Sequence, residues 1–293
     1  MVELGSEAHE KYREAGEILA TVREEAAERV TVGATQLEVA EFAEERVREL
    51  GGGLAFPVNI SVDEEASHAT PARDDTTEFG EEMVCLDIGV HVDGYIADAA
   101  VTVDLTDTPE LVEASEEALE AALDAVEPGV HTGEIGREIG ETIDAHGYNP
   151  IVNLTGHGLD QYDAHTAPNV PNRPVETGVE LEPGDVLAIE PFATDGRGKV
   201  GEGSKTDIYE VVGDARVRDR TARSVLEEAE EFDGLPFAER WLDTKRAQMG
   251  LRRLEMSNVV RSYPVLKEEA GTLVSQAEHT LIVTEDGCEV TTR

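Results

Sequence analysis

Basic residues are scarce in this chain. Lysine and arginine together number 24 in 293 residues, against 64 aspartates and glutamates, for a formal net charge of -40. Only Lys11, Lys199, Lys205, Lys245 and Lys267 are lysines; the other basic residues are arginines. A polyanion needs a basic face to dock on, so no nucleic-acid partner is expected. Cysteine is also rare. Cys85 and Cys288 are too few for a disulfide framework, and a reducing cytoplasm is the expected location. Long apolar runs are missing: none approaches the ~18 residues of a membrane span. The opening "MVELGSEAHEKYREAG" lacks the basic-then-apolar pattern of a signal peptide. No membrane partner is therefore expected.

What is abundant is acid, spread through every segment and not gathered in a tail. Such self-repulsion destabilises a compact chain in dilute salt. At molar salt the Debye length falls to ~3 Å and the repulsion is screened. The composition thus reads as adaptation to a high-salt, halophilic cytoplasm. With 40% hydrophobic residues the chain can still build a full core. At roughly 150 residues per domain its length fits about two units.

Apolar spacing predicts a helix over 6–30, with Ile18, Leu19, Val22, Ala26 and Val30 on one face. A second follows Thr35, where "TQLE" fits a capping box; Leu37, Ala40, Ala43 and Val47 continue the stripe, and "ELGGG" ends it. The pattern then recurs. Residues 111–126 read as a helix, and Ile135, Ile139 and Ile143 follow at spacing four. Gly33 and Gly129, Glu38 and Glu134, Val39 and Ile135, and Gly51 and Gly147 each lie 96 apart. Each half continues with a Pro–Asn stretch, a histidine-bearing loop and an apolar strand holding an acid, "MVCLDIGV" and "DVLAIEPF". This predicts an internally repeated α/β fold with pseudo-twofold symmetry. Residues 215–270 break the repeat and read as a helix-rich insertion carrying Trp241, which is expected to pack within it.

The stretch "CLDIGVHVDGYIADAA" (85–100) places two acids in a core hairpin. If Asp93-Gly94 is the two-residue turn, Val92 opposes Tyr95 and Gly89 opposes Asp98. Asp87 then shares a face with Asp98 as its diagonal neighbour, with Gly89 leaving open space between them. Two carboxylates that close repel, and a divalent cation removes the conflict. Glu190 and Glu278 occupy similar strands, and His157 lies in "NLTGHGLD". Hard oxygen ligands plus one imidazole suit Mn, Fe, Co or Zn. Five ligands, two of them able to bridge, suggest two metals ~3.5–4 Å apart.

Four stretches bring a family into view: "FPVNISVDEEASHATP" (56–71), "LDIGVHVDGYIADAAVTV" (86–103), "GHGLDQYDAH" (156–165) with "AIEPFAT" (188–194), and "SQAEHT" (275–280). The chain resembles, nearly end to end, the type 2 methionine aminopeptidases of the archaeal and eukaryotic kind; its charge points to a halophilic archaeon. The resemblance implies the pita-bread fold, with 1–214 and 271–293 as the catalytic domain and 215–270 as the type 2 insertion. It implies that Asp87 holds one metal, that His157 with Glu190 holds the other, and that Asp98 and Glu278 bridge both. A metal-bridging hydroxide would attack the scissile carbonyl, with Glu190 as general base. His68 and His165 would contact the scissile amide and stabilise the oxyanion, and Phe56 would wall the methionine pocket. The implied partners are the N-termini of nascent polypeptides, with a ribosome-proximal place left open, acted on by a monomer that prefers a small second residue. Ala164 stands where relatives often carry a larger apolar residue, which would widen or reline that pocket.

His91 reads as a hairpin residue and His279 as facing away from Glu278; His9, His131 and His146 read as surface or helix-end residues. Cys85 reads as a small buried apolar group. Two other functions compete: a proline-specific aminopeptidase or dipeptidase on the same fold, and a non-enzymatic binding protein. The first usually carries a large extra N-terminal domain, and only ~55 residues precede "FPVN" here. The second would show lost ligands. Dialysis from molar KCl into dilute buffer is expected to unfold the protein. A sharp native thermal transition retained in dilute buffer would contradict the salt reading.

Overall fold

Ser6 opens the first helix, α1 (Glu7–Ala27), its hydroxyl accepting the His9 N–H at 3.2 Å. Ile18, Leu19, Val22 and Ala26 point into the core, and Val30 joins them just beyond the helix. In this computed structural model, which describes residues 1–213 and 217–293, α2 (Gln36–Glu49) begins with the expected Thr35–Glu38 capping box. Its buried stripe runs through Val39, Ala40, Ala43 and Val47; Leu37, expected on it, sits half-buried in the first turn at its edge. Gly51 takes the left-handed conformation, with φ 92°, that ends the helix.

Next come β1 (Gly53–Leu54), β2 (Asn59–Val62), β3 (Glu65–Ser67) and the long hairpin β4 (Met83–Val92) and β5 (Tyr95–Asp104). β4 pairs with β1, β2 and β5. The hairpin turns at Asp93-Gly94, both with positive φ, in the expected register of Val92 with Tyr95 and Gly89 with Asp98. Helices α1 and α2 cover this sheet, burying Val84, Leu86, Ile88 and Val90 of β4 against them.

The second half repeats the plan with α3 (Pro109–Ala125) and α4 (Thr132–Ala145). Gly33 and Gly129 share φ near 89° and 88°, and Gly51 and Gly147 share 92° and 83°. Thr35 makes a lone bridge to Glu78, and His131, 96 residues later, makes one to Glu180. Then follow β6 (Asn149–Pro150), β7 (Thr155–Asp160), β8 (Asp163–Pro171), β9 (Val186–Ile189) and β10 (Phe192–Thr194). Ile135, Ile139 and Ile143 pack over Leu187 and Ile189 of β9.

The remainder is β11 (Gly201–Val211), α5 (Arg220–Ala229), β12 (Phe237–Ala238), α6 (Ala247–Met256), β13 (Val260–Lys267), β14 (Val274–Gln276), β15 (His279–Val283) and β16 (Cys288–Val290). β9 joins the sheet β16-β15-β9-β7-β8, and β10 joins β14-β10-β6. The expected insertion start, at 214/215, lies outside the described residues. Within 217–270 the segment is helix-rich as expected, through α5 and α6, and it also contributes β12 and β13. β13 pairs with both β11 and β3, and α5 and α6 bury Val225, Leu251 and Leu254 with Tyr209 and Val260 of that sheet. Trp241 packs against Phe232 at 5.4 Å between ring centres, as expected of a residue of this segment.

A buried ion pair ties the segment to α2. Arg240 pairs with Glu44 and donates to Thr70 Oγ1 at 2.6 Å, while Trp241 Nε1 donates to Glu44 Oε2 at 2.9 Å. Burial pushes the Glu44 carboxyl up and the Arg240 guanidinium down. Arg240→Leu leaves an acid buried without its partner and is expected to cost about 3–5 kcal/mol. Glu44→Leu combined with Arg240→Leu is expected to cost less than the single change. Urea unfolding in molar KCl measures both.

Candidate metal centre

Hairpin register delivers the first two acids. Asp98 sits opposite Gly89 and Asp87 opposite Ala100, so the two carboxyls face the same side two residues apart along the ladder. Glu190 follows the end of β9, and Glu278 lies in the break between β14 and β15. His157, expected in a loop, is in strand β7, paired with Ala188. The two halves thus present their acids toward each other. His157 Nε2 lies 3.9 Å from Asp98 Oδ2 and 3.8 Å from Glu190 Oε1. One ligand atom each from Asp98, His157 and Glu278 falls within 4.8 Å of the others. All five expected ligands line one cavity of about 360 Å³ together with Phe56, His68 and His165.

The electrostatics of this cluster are those of crowded anions. Burial, then the charge of Asp87, pushes the Asp98 and Glu190 carboxyls well up. Glu278 is raised by burial and by Asp98, and Asp87 is pushed up to about 7 by burial. Asp87 Oδ1 and Asp98 Oδ1 are buried with no hydrogen-bond donor. Acceptor atoms converging without donors, on hard oxygen and imidazole groups, fit a divalent cation. His157 fits too. Its Nδ1 lies 3.3 Å from the Gly158 carbonyl, which can only accept, so Nδ1 carries the proton and Nε2 offers its lone pair to the acids. Burial lowers this imidazole to about 3, keeping it neutral.

His68 stands at φ 63° on the loop after β3, its ring 5.3 Å from that of Tyr263. Its Nδ1 faces the Pro264 carbonyl at 3.3 Å, and burial lowers it to about 4. His165 lies on β8 and is solvent-exposed, its ring centre 4.4 Å from that of His157; desolvation on its protein-facing side lowers its imidazole. The expected open space at Gly89 is filled: a Cβ there would come within 2.3 Å of the Phe56 ring, which lies flush on the strand. Ala164 does not line the cavity. It shares a packed cluster with Phe56, which does line that cavity, and with His165 it lines an adjoining cavity of about 270 Å³. His279 faces the far side, its Nδ1 near Thr292 Oγ1 at 2.8 Å. His91 accepts the Gly94 N–H within the hairpin. His131 and His146 flank α4; His9, expected at the surface or a helix end, is in the first turn of α1 and buried against Glu289. Cys85 is buried, its thiol raised to about 11 by burial, as suits an inert group.

Several residues that line or back the cavity went unread in the sequence. Asn59, paired with Asp87 across β2 and β4, keeps an unpartnered Oδ1. Tyr263, Arg261 and Leu266 come from β13 and could be found only once that strand was known to reach the site. Gln276 had a signal, since it lies two residues before Glu278, the spacing that shares a strand face. Asn172 donates to the backbone carbonyls of Leu154 and Glu190, at 3.2 and 3.1 Å.

A buried carboxylate and imidazole centre set between two repeated α/β halves defines a class of metal-dependent hydrolase. Residues 10–285 match the model of metallopeptidase family M24. A methionine aminopeptidase from Archaeoglobus fulgidus is 51% identical, over 99% of this chain and all of its own length. Among solved structures, a methionine aminopeptidase from Thermotoga maritima superposes with a TM-score of 0.73 at 25% identity, covering both chains completely. A thermophilic Arx1 superposes with a TM-score of 0.88 at 20% identity, over 99% of this chain and 91% of its own, a likeness of fold alone. The chain belongs to metallopeptidase family M24 and, within it, to the methionine aminopeptidases.

The raised carboxyls fix the sign of a pH effect on the metal-free protein. Their stabilising contribution is complete below the ordinary carboxylate range and is lost as pH rises through the elevated folded values, which for Asp87 lie at about 7. In molar KCl with chelator, lowering the pH from 8 to 5.5 is expected to raise Tm by at least ~3 °C, the shift that about 1 kcal/mol gives. Asp98→Asn is expected to flatten that slope. Differential scanning calorimetry of both proteins checks it.

Proposed function

We propose that this chain removes the N-terminal methionine of nascent polypeptides as a metal-dependent aminopeptidase. One observation carries the reading: five side chains of metal-ligating type line one cavity with two further histidines and an apolar wall, in a chain 51% identical to a methionine aminopeptidase. The proposed ligands number two ions: Asp87, Asp98 and Glu278 would hold one, and Asp98, His157, Glu190 and Glu278 the other. Divalent cations held here supply Lewis-acid polarisation and make water nucleophilic at neutral pH. Mn, Co, Fe and Zn all suit the donor set.

The side chains divide the remaining work. Glu190 takes the proton of the attacking water, the part of a general base. His68 is tied through Nδ1–H to Pro264, which leaves Nε2 as an acceptor for the N–H of the scissile amide. His165 donates to the carbonyl oxygen as charge develops on it. Phe56, Phe192, Ile208 and Leu266 give the cavity an apolar lining that suits a methionine side chain. Residues 215–270 are proposed as the type 2 insertion. Their contribution is a wall: Pro236, Arg261, Tyr263 and Leu266 close the cavity on one side and favour a small second residue. The setting proposed is the cytoplasm, where such N-termini emerge. No helix among the described residues is long and apolar enough to cross a membrane.

The test is release of free methionine from Met-Ala-Ser in molar KCl by metal-stripped protein titrated with Co or Mn. Metal-dependent release is expected, absent in Glu190→Ala and much slower on Met-Leu-Ser. His68→Ala is expected to bind metal like the wild type while losing about 10²–10³ in kcat, the size of one lost oriented polar contact to the reacting group. Metal bound without methionine release would overturn the proposal.

A further inference from the structure

Gln276 is buried, with 1% of its surface exposed, and is a neutral polar side chain set beside Glu190 and Glu278. Its Nε2 lies 3.1 Å from Glu278 Oε2 and 3.3 Å from Glu190 Oε2. Carboxylates only accept, so the amide nitrogen, with its two hydrogens, is the end that must face them. The other end has no partner: Gln276 Oε1 is buried without a donor. An unpaired buried carbonyl lowers stability, so this amide is not held here for stability.

Its backbone is pinned as well. Thr102 Oγ1 accepts the Gln276 N–H at 2.9 Å and donates to the Gln276 carbonyl at 2.7 Å. This fixes the residue on β14 against β5, the strand that carries Asp98. A lysine or arginine at this place would also bridge the acids, but its charge would repel a cation. A carboxamide bridges them and leaves their negative charge available.

We propose that Gln276 is a positioning residue of the metal centre, its amide holding Glu190 and Glu278 in the arrangement that binds cations. The inference rests on the metal-dependent reading of the site. Outer partners that orient metal ligands typically contribute 10–100-fold to metal affinity. Gln276→Met and Gln276→Leu keep much of the volume and remove the donor.

The experiment is calorimetric titration of Mn(II) into metal-stripped wild-type and variant proteins in molar KCl, with Tm measured in chelator. Each variant is expected to bind Mn(II) 10–100-fold more weakly while its metal-free Tm is unchanged or higher. Mn(II) affinity equal to the wild type, with wild-type binding intact, would overturn the inference alone. Weaker binding accompanied by a lowered metal-free Tm would make the residue structural and overturn it too. A wild type that binds no Mn(II) would overturn the metal reading and the inference with it.

Discussion

Four carboxyl groups share one buried pocket, and their mutual repulsion is the constraint around which the rest of the molecule is arranged. Burial raises all four, and the charges of neighbouring acids add to this at Asp98, Glu190 and Glu278. Arg23 opposes the effect at Glu278 from behind, but its guanidinium is itself depressed by burial and meets His279 at 3.2 Å. The cluster therefore stays short of positive charge. A protein could relieve the strain by replacing an acid; this one keeps them, and a divalent cation is the partner that satisfies all of them as anions.

Holding such a cluster requires a rigid frame, and two threonines supply a clasp across the middle of the fold. Thr280 Oγ1 accepts the Asp98 N–H and donates to the Asp98 carbonyl, both at 2.8 Å. Thr102 does the same for Gln276. The two clasps are mutual, each threonine lying four residues beyond the residue that the other threonine holds. Together they lock β5 of the first half to β14 and β15 at the end of the chain. The acids consequently cannot move apart without breaking several backbone contacts at once.

Much of this was legible in the sequence because it depends on local rules. The Asp93-Gly94 turn fixed the register of β4 with β5 and hence the shared face of Asp87 and Asp98. The glycines 96 residues apart marked helix ends that recur in both halves. What was not legible depends on packing at a distance. Nothing in "FPVN" or "DIGV" alone shows that the Phe56 ring fills the space over Gly89. Whether Ala164 or His165 faces the cavity depends on how β8 lies against β7, where the register shifts. The contribution of Tyr263 and Arg261 required knowing that β13 returns to pair with β3, far from it in sequence.

The surface and the site place opposite demands on the same kind of side chain. Outside, acids are solvated and mutual repulsion is spread thin; inside, a few are concentrated where water cannot screen them. The proposal that the inner cluster holds two cations is put to the test by anomalous X-ray diffraction from a crystal soaked in Mn(II). Two anomalous peaks among Asp87, Asp98, His157, Glu190 and Glu278 are the result this account requires. Peaks confined to surface acids, with none in the cavity, would contradict it.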